Sequence, residues 1–155
     1  MKNAKKAGAI VISAAALALV GIVSAAPAYA GQCPADLSGM DVRTTGATEP
    51  VGVSDDELSS IDLQKEIDGV EDRRLRFRKL EVQPNGVVPW HDHTDRPALI
   101  YTAKGEITEY RSDCKVGVTH KAGDISTETA GLKHWWKNEG KETAILYAAD
   151  VKHDQ

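Results

Sequence analysis

From about Ile61 onward the chain is punctuated. Short runs of alternating apolar and polar residues are separated by Asp68-Gly69, Pro84-Asn85-Gly86, Lys104-Gly105, Ala122-Gly123, Ala130-Gly131 and Glu139-Gly140. Alternation with a period of two puts one row of side chains on each face of a strand. Glycine at each gap supplies the backbone freedom that tight turns need. The runs are Asp62–Ile67, Arg73–Val82, Val87–His91, Ala98–Lys104, Glu106–Arg111, Gly117–His120, Asp124–Thr127, Lys133–Lys137 and Thr143–Asp150. Many short strands at this spacing specify an all-β domain over residues 61–155, a sandwich or barrel of two packed antiparallel sheets. Residues 31–60 are rich in Gly, Ser, Thr, Pro and Asp and show little periodicity. They read as an irregular N-terminal arm with at most one short edge strand. The single helix candidate is Ser54–Ser60, where serine precedes Asp55-Asp56-Glu57 as a cap would.

Residues 1–30 have a different texture. Lys2, Lys5 and Lys6 precede a long apolar run that ends in Ala28-Tyr29-Ala30. That is the three-part pattern of a secretory signal peptide, with cleavage expected after Ala30. The competing reading is a retained membrane anchor, since the apolar run is nearly long enough to span a bilayer. Pro27 and the small residues at the cleavage site favour removal, which leaves no stable anchor and places the protein outside the cell or in the periplasm. Taking the three leader lysines from 19 basic side chains leaves 16 against 23 acidic ones, a formal net charge of −7. Such a surface argues against nucleic acid and anionic lipid as partners. Both cysteines, Cys33 and Cys114, lie in the exported part. In an oxidising compartment an even count implies one disulfide, which ties the arm to the domain.

The chain has five histidines, and two of them stand in Trp90-His91-Asp92-His93. Residues i and i+2 of a strand share a face, so His91 and His93 project together. Two adjacent imidazoles are stable when neutral and bound to one cation. A His-x-His pair alone is a weak signal. His134 strengthens it, through Gly123, five residues, Thr129-Ala130-Gly131, two residues, His134, three residues and Asn138. With Asn85-Gly86, His91, His93 and Gly105 ahead of it, the region from Arg73 to Val151 resembles the cupin superfamily. The second cupin motif is complete apart from Thr129, where proline is usual. The first motif is one residue short before His91 unless Asn85 takes the tight-turn position, which asparagine tolerates.

The resemblance implies a single-domain cupin barrel with its histidines inside a mostly apolar cavity. It implies one divalent transition metal (Fe, Cu, Zn or Ni) on His91, His93 and His134. The glutamate that the first motif normally supplies is missing, because its place falls on Ala98 or Pro97. Asp95 is a candidate substitute, although Thr94-Asp95-Arg96-Pro97 also reads as a plain turn. Ala98, Ile100 and Thr102 share the inner face of their strand, so Tyr101 should point outward. Trp136 shares a face with His134 and is a candidate cavity wall, whereas Trp90 and Trp135 fit the outside or the mouth. His120 reads as an exposed strand end, Glu128 as a solvated loop acid, and Arg74, Arg76 and Arg78 as a solvated face. Two functions follow. One is a metal-dependent, dioxygenase-like enzyme acting on a small molecule; the other is a non-catalytic periplasmic protein that binds a metal or small ligand. Cupins also often pair through edge strands, so the resemblance extends to a homodimer.

Overall fold

The protein, a computed structural model, is described over residues 31–153, so the leader-like segment 1–30 lies outside the described residues. Eight strands account for most of the fold: β1 Val51–Asp62, β2 Arg74–Asp92, β3 Ala98–Lys104, β4 Glu106–Arg111, β5 Val118–Lys121, β6 Ile125–Glu128, β7 Lys133–Lys137 and β8 Ala144–Lys152. Neighbouring strands are antiparallel in the order β5-β4-β7-β2-β8-β3-β6, with β1 added to β2. The two expected layers are present but are joined through one strand. Residues 74–82 of β2 pair with β8, and residues 87–92 pair with β7.

The joint in β2 lies at Gln83-Pro84-Asn85-Gly86. Asn85 takes a positive φ of 65° there, the left-handed conformation its side chain tolerates. The pairing with β1 skips from Val82 to Val87 across this stretch, so the extra residues form a bulge that turns the strand from one layer into the other. Asn138 clamps the bend. Its side chain donates to the carbonyls of Val82, 2.8 Å, and Glu142, 2.7 Å, and its backbone exchanges bonds with Asn85 and Gly86.

Side-chain alternation builds the interior as the sequence implies. Ala98, Ile100 and Thr102 of β3 point in, while Leu99 and Tyr101 point out. Leu80, Val82, Ile107, Trp136, Ala144, Leu146 and Ala148 complete the core.

Three local readings are corrected. Ser54–Ser60 is not a helix but the middle of β1, a long strand exposed along nearly its whole length. The arm therefore ends near residue 50 and not residue 60. The expected strand Asp62–Ile67 is instead a single helical turn, α1 Leu63–Glu66, started by the Asp62 carboxylate, which accepts from Gln64 N at 3.1 Å. Finally, Arg73–Val82 and Val87–His91 are one continuous strand. Cys33 and Cys114 are disulfide-bonded across 5.8 Å between their Cα atoms. No helix among the described residues is long and apolar enough to cross a membrane.

Candidate metal centre

His91 and His134 are register partners on β2 and β7, and His93 follows just past the end of β2. Their ring centroids lie 4.6 to 5.0 Å apart. One nitrogen of each ring falls within 4.8 Å of the others. All three expected ligands therefore converge, with His93 and His134 buried.

The carboxylate is present, but it comes from another strand. Glu128 ends β6 and is buried; its Oε2 lies 3.0 Å from His93 Nε2 and its Oε1 lies 3.5 Å from His134 Nε2. Its register partner is Ala98, the place where the motif glutamate is missing. Cross-strand neighbours on one face are close enough to touch. The methyl side chain at Ala98 leaves room for the carboxylate that its neighbour sends across. Reading Glu128 as a solvated loop acid is thus overturned. β6 runs one residue further than expected, and Ser126 and Glu128 form its inner row. Asp95 does not substitute. Its side chain is 61 % exposed and is engaged with Arg73 and His153, away from the histidines.

A second carboxylate, unforeseen in the sequence, lies behind the first group. Glu109 on β4 is fully buried. It accepts from His134 Nδ1 at 2.5 Å, His120 Nε2 at 2.8 Å and Ser126 Oγ at 3.0 Å. Burial alone would raise its carboxyl, but the bonds from His120 and His134 and the charge of Arg111 outweigh that and hold it well below the usual carboxylate range. His120 is accordingly not an exposed strand end. It is buried on the inner row of β5, with its ring 4.9 Å from that of Trp136.

These bonds fix the state of the three imidazoles. His91 Nδ1 faces the Pro89 carbonyl at 2.7 Å, His93 Nδ1 faces the Arg96 carbonyl at 2.6 Å, and His134 Nδ1 faces Glu109. A carbonyl or carboxylate oxygen can only accept, so each Nδ1 carries the proton. In the neutral ring, the form a metal ion takes, each Nε2 then offers its lone pair. His91 and His134 Nε2 stand 3.1 Å apart. His93 Nε2 and Glu128 Oε1 are buried without a hydrogen-bond partner. Burial, followed by the neighbouring His134, pushes the His91 imidazole down to about 3, so protonation does not relieve the crowding. Three ring nitrogens within 4.8 Å of one another, with the Glu128 carboxylate beside those of His93 and His134, suit a cation. Imidazoles anchored through Nδ1 with Nε2 free are the usual form of metal-binding histidines, so the residues fit a metal ion.

The cluster opens on a cavity of about 260 Å³ lined by His91, Glu128, Ile100, Trp136 and other apolar residues, together with Asp55, Arg78 and Arg96. Of the expected pocket residues, Ile100 and Trp136 line it, whereas Ala98 and Thr102 are buried beside it. The cavity is mostly apolar, as expected, with a few polar side chains set into its wall. The reading of Arg74, Arg76 and Arg78 as a solvated face is overturned for Arg78, which is buried in one row with Leu80 and Val82 and faces inward. Trp90 and Trp135 lie outside the cavity, with Trp135 stacked on Tyr110 at 4.3 Å.

The family model for the cupin domain matches residues 78–150, which hold the whole ligand group. That segment is a cupin domain. A germin-like protein of Morus alba is 30% identical over 84 residues, or 52% of this chain and 40% of that protein, so the match spans less than half of the relative. A structure described as a predicted oxalate decarboxylase from Thermotoga maritima superposes with a TM-score of 0.52 at 19% identity, covering 68% of this chain and 91% of that one. An oxalate oxidase superposes with a TM-score of 0.51 at 19% identity, covering 74% and 58%. At that identity the structural likeness is one of fold.

Proposed function

We propose that this cupin-domain protein is an exported mononuclear metal protein, a dioxygenase-like oxidoreductase acting on a small molecule, with its ion held by His91, His93, His134 and Glu128. The three histidine ring nitrogens within 4.8 Å of one another, with buried Glu128 beside His93 and His134, carry the reading. Export is supported by the leader-like residues 1–30 and by the Cys33–Cys114 disulfide. An oxalate oxidase works within the same fold, but the proposal rests on the ligand geometry and not on that likeness.

A divalent iron or copper ion on these ligands would supply redox chemistry with dioxygen, and zinc or nickel would supply Lewis acidity alone. The chain contributes the remainder. Leu80, Val88, Ile100, Trp136 and Leu146 wall the cavity and keep bulk water from the reacting group. Glu109 holds the His134 Nδ1 proton and fixes the ring's orientation, while the Pro89 and Arg96 carbonyls do the same for His91 and His93.

Metal content of protein purified from a periplasmic preparation, measured by mass spectrometry alongside oxygen uptake over small thiols, phenols and diketones, tests the reading. The expected result is one ion per chain and substrate-dependent oxygen uptake. His134→Ala should lose the ion. Glu109→Gln keeps every ligand but weakens the anchor, and should lower metal affinity about 10–100-fold. Full metal content in His134→Ala would exclude the ligand set. Full occupancy without turnover would leave the non-catalytic role, capture of a metal or small ligand outside the cytoplasm.

A further inference from the structure

The cavity beside the ligand group holds guanidinium donors that its own residues leave unsatisfied. Arg76, Arg78 and Arg96 gather around Asp150, which is buried on β8. Arg76 takes both oxygens of that carboxylate, at 3.0 and 2.8 Å. Arg78 and Arg96 are left at 3.5 and 3.8 Å from it, too far for good hydrogen bonds. Arg78 has a second partner in Asp55, a partly exposed residue of β1, yet its Nε is buried without a partner. Three guanidinium groups thus share Asp150, Asp55 and, across the cavity, Glu128, and the Arg78 Nε donor is left over. Arg78 is more than nine-tenths buried and, like Arg96, lines the cavity that His91 and Glu128 also line. A buried cation with unsatisfied donors is costly unless something completes it. Planar guanidinium groups match carboxylates through paired hydrogen bonds.

We propose that Arg78 and Arg96 form an anion-binding half of the cavity that takes a carboxylate of a small substrate. The position of the substrate's other end, at the histidine group, rests on the metal reading above; the anion half stands without it. Asp55 occupies part of this half in the free protein and is the group an incoming carboxylate displaces. The cavity volume of about 260 Å³ limits the ligand to a few heavy atoms beyond that carboxylate. The substrate class is therefore a small, compact carboxylic acid with a second polar group.

Calorimetric titration with malonate, and with malonamide as its uncharged counterpart, tests the proposal on both chelator-stripped and zinc-loaded protein. Malonate should bind the stripped protein, and malonamide should bind at least tenfold more weakly or not at all. Arg96→Gln should weaken malonate at least tenfold, Arg96→Lys should keep most of the affinity, and Asp55→Asn should tighten binding. Equal binding of the two probes, or malonate affinity unchanged in Arg96→Gln, overturns the anion half. If Arg96→Gln proves unfolded by circular dichroism, loosened binding in Asp55→Asn overturns the proposal and tightened binding upholds it. The two readings fail separately. Zinc uptake with malonate indifferent to Arg96 removes the anion half alone, and no zinc uptake with malonate still dependent on Arg96 removes the metal centre alone.

Discussion

Asp150 shows how a single buried charge is made tolerable in this barrel. Burial alone would raise its carboxyl, but the Arg76 hydrogen bonds and the charges of Arg78, Arg76 and Arg96 outweigh it and hold the group below its ordinary 3.8. A carboxyl depressed by folding stabilises the fold above its unfolded pKa and loses that contribution as pH falls through the folded value. Asp150→Asn removes the charge and leaves Arg76 buried opposite an amide. Breaking such a pair costs about 3–5 kcal/mol at neutral pH. Urea unfolding should show that gap at pH 7 and a narrowing gap as pH falls below 3.8; a gap constant in acid would mean the carboxylate is not charged in the fold. The same scale shows what a sequence exposes. His91, His93 and His134 were legible because their spacing is local or motif-bound. Glu128 and Glu109 were not, because a carboxylate's role depends on which strand lies beside it. Ala98 told only that a ligand was missing; register with β6 told where it comes from.

At the scale of elements, alternation placed β3 and β7 within their observed bounds, because each has one buried row and one more exposed row; β4 also keeps its expected bounds, although Ile107, Thr108 and Glu109 are buried in succession. β1 escaped that test. Nearly all of its side chains are exposed, so Ser54-Asp55-Asp56-Glu57 shows no apolar row, and the strand exists because β2 offers an edge to pair with. β2 escaped it differently, since a turn-like Pro84-Asn85-Gly86 disguises one bent strand as two. The bend depends on Gly86, where an added Cβ would lie 2.7 Å from the Gln83 carbonyl oxygen and 2.9 Å from that of Gly52. Backbone oxygens have little freedom to retreat, so Gly86→Ala must open the bulge. The expected loss is about 1–3 kcal/mol, the usual cost of forcing extra volume into a packed site. Because the bulge also sets the path of β2 toward His91, metal affinity should fall along with the urea midpoint. A variant as stable as the parent would show that the bulge has slack.

For the whole molecule, the disulfide decides how the N-terminal arm is held. Cys33 joins the buried Cys114 in the turn between β4 and β5, 81 residues away. The arm then lies along that turn, with Gly39 N donating to Asp113 O at 3.0 Å, Lys115 N to Leu37 O at 3.0 Å and Arg43 N to Ser112 O at 3.2 Å. Further on, Trp90 N donates to Ala47 O at 2.7 Å, so the arm reaches the outer side of the strand that bears His91. These few bonds are spread over a segment whose one short 3-10 turn, Ala35–Leu37, buries no side chain, and would hold it weakly without the covalent link. Closing a loop of this length removes unfolded-state freedom worth about 4 kcal/mol in the chain-entropy picture. Cys33→Ser should lower the urea-unfolding free energy by about that amount. Adding dithiothreitol should bring the parent down to the variant's value and leave the variant unchanged. Metal content should stay at the parent level in both, because the ligands sit on β2, β6 and β7 and on the turn that follows β2, none of which the disulfide joins. Loss of metal together with the disulfide would instead make the arm part of the centre, holding β2 in register through Trp90.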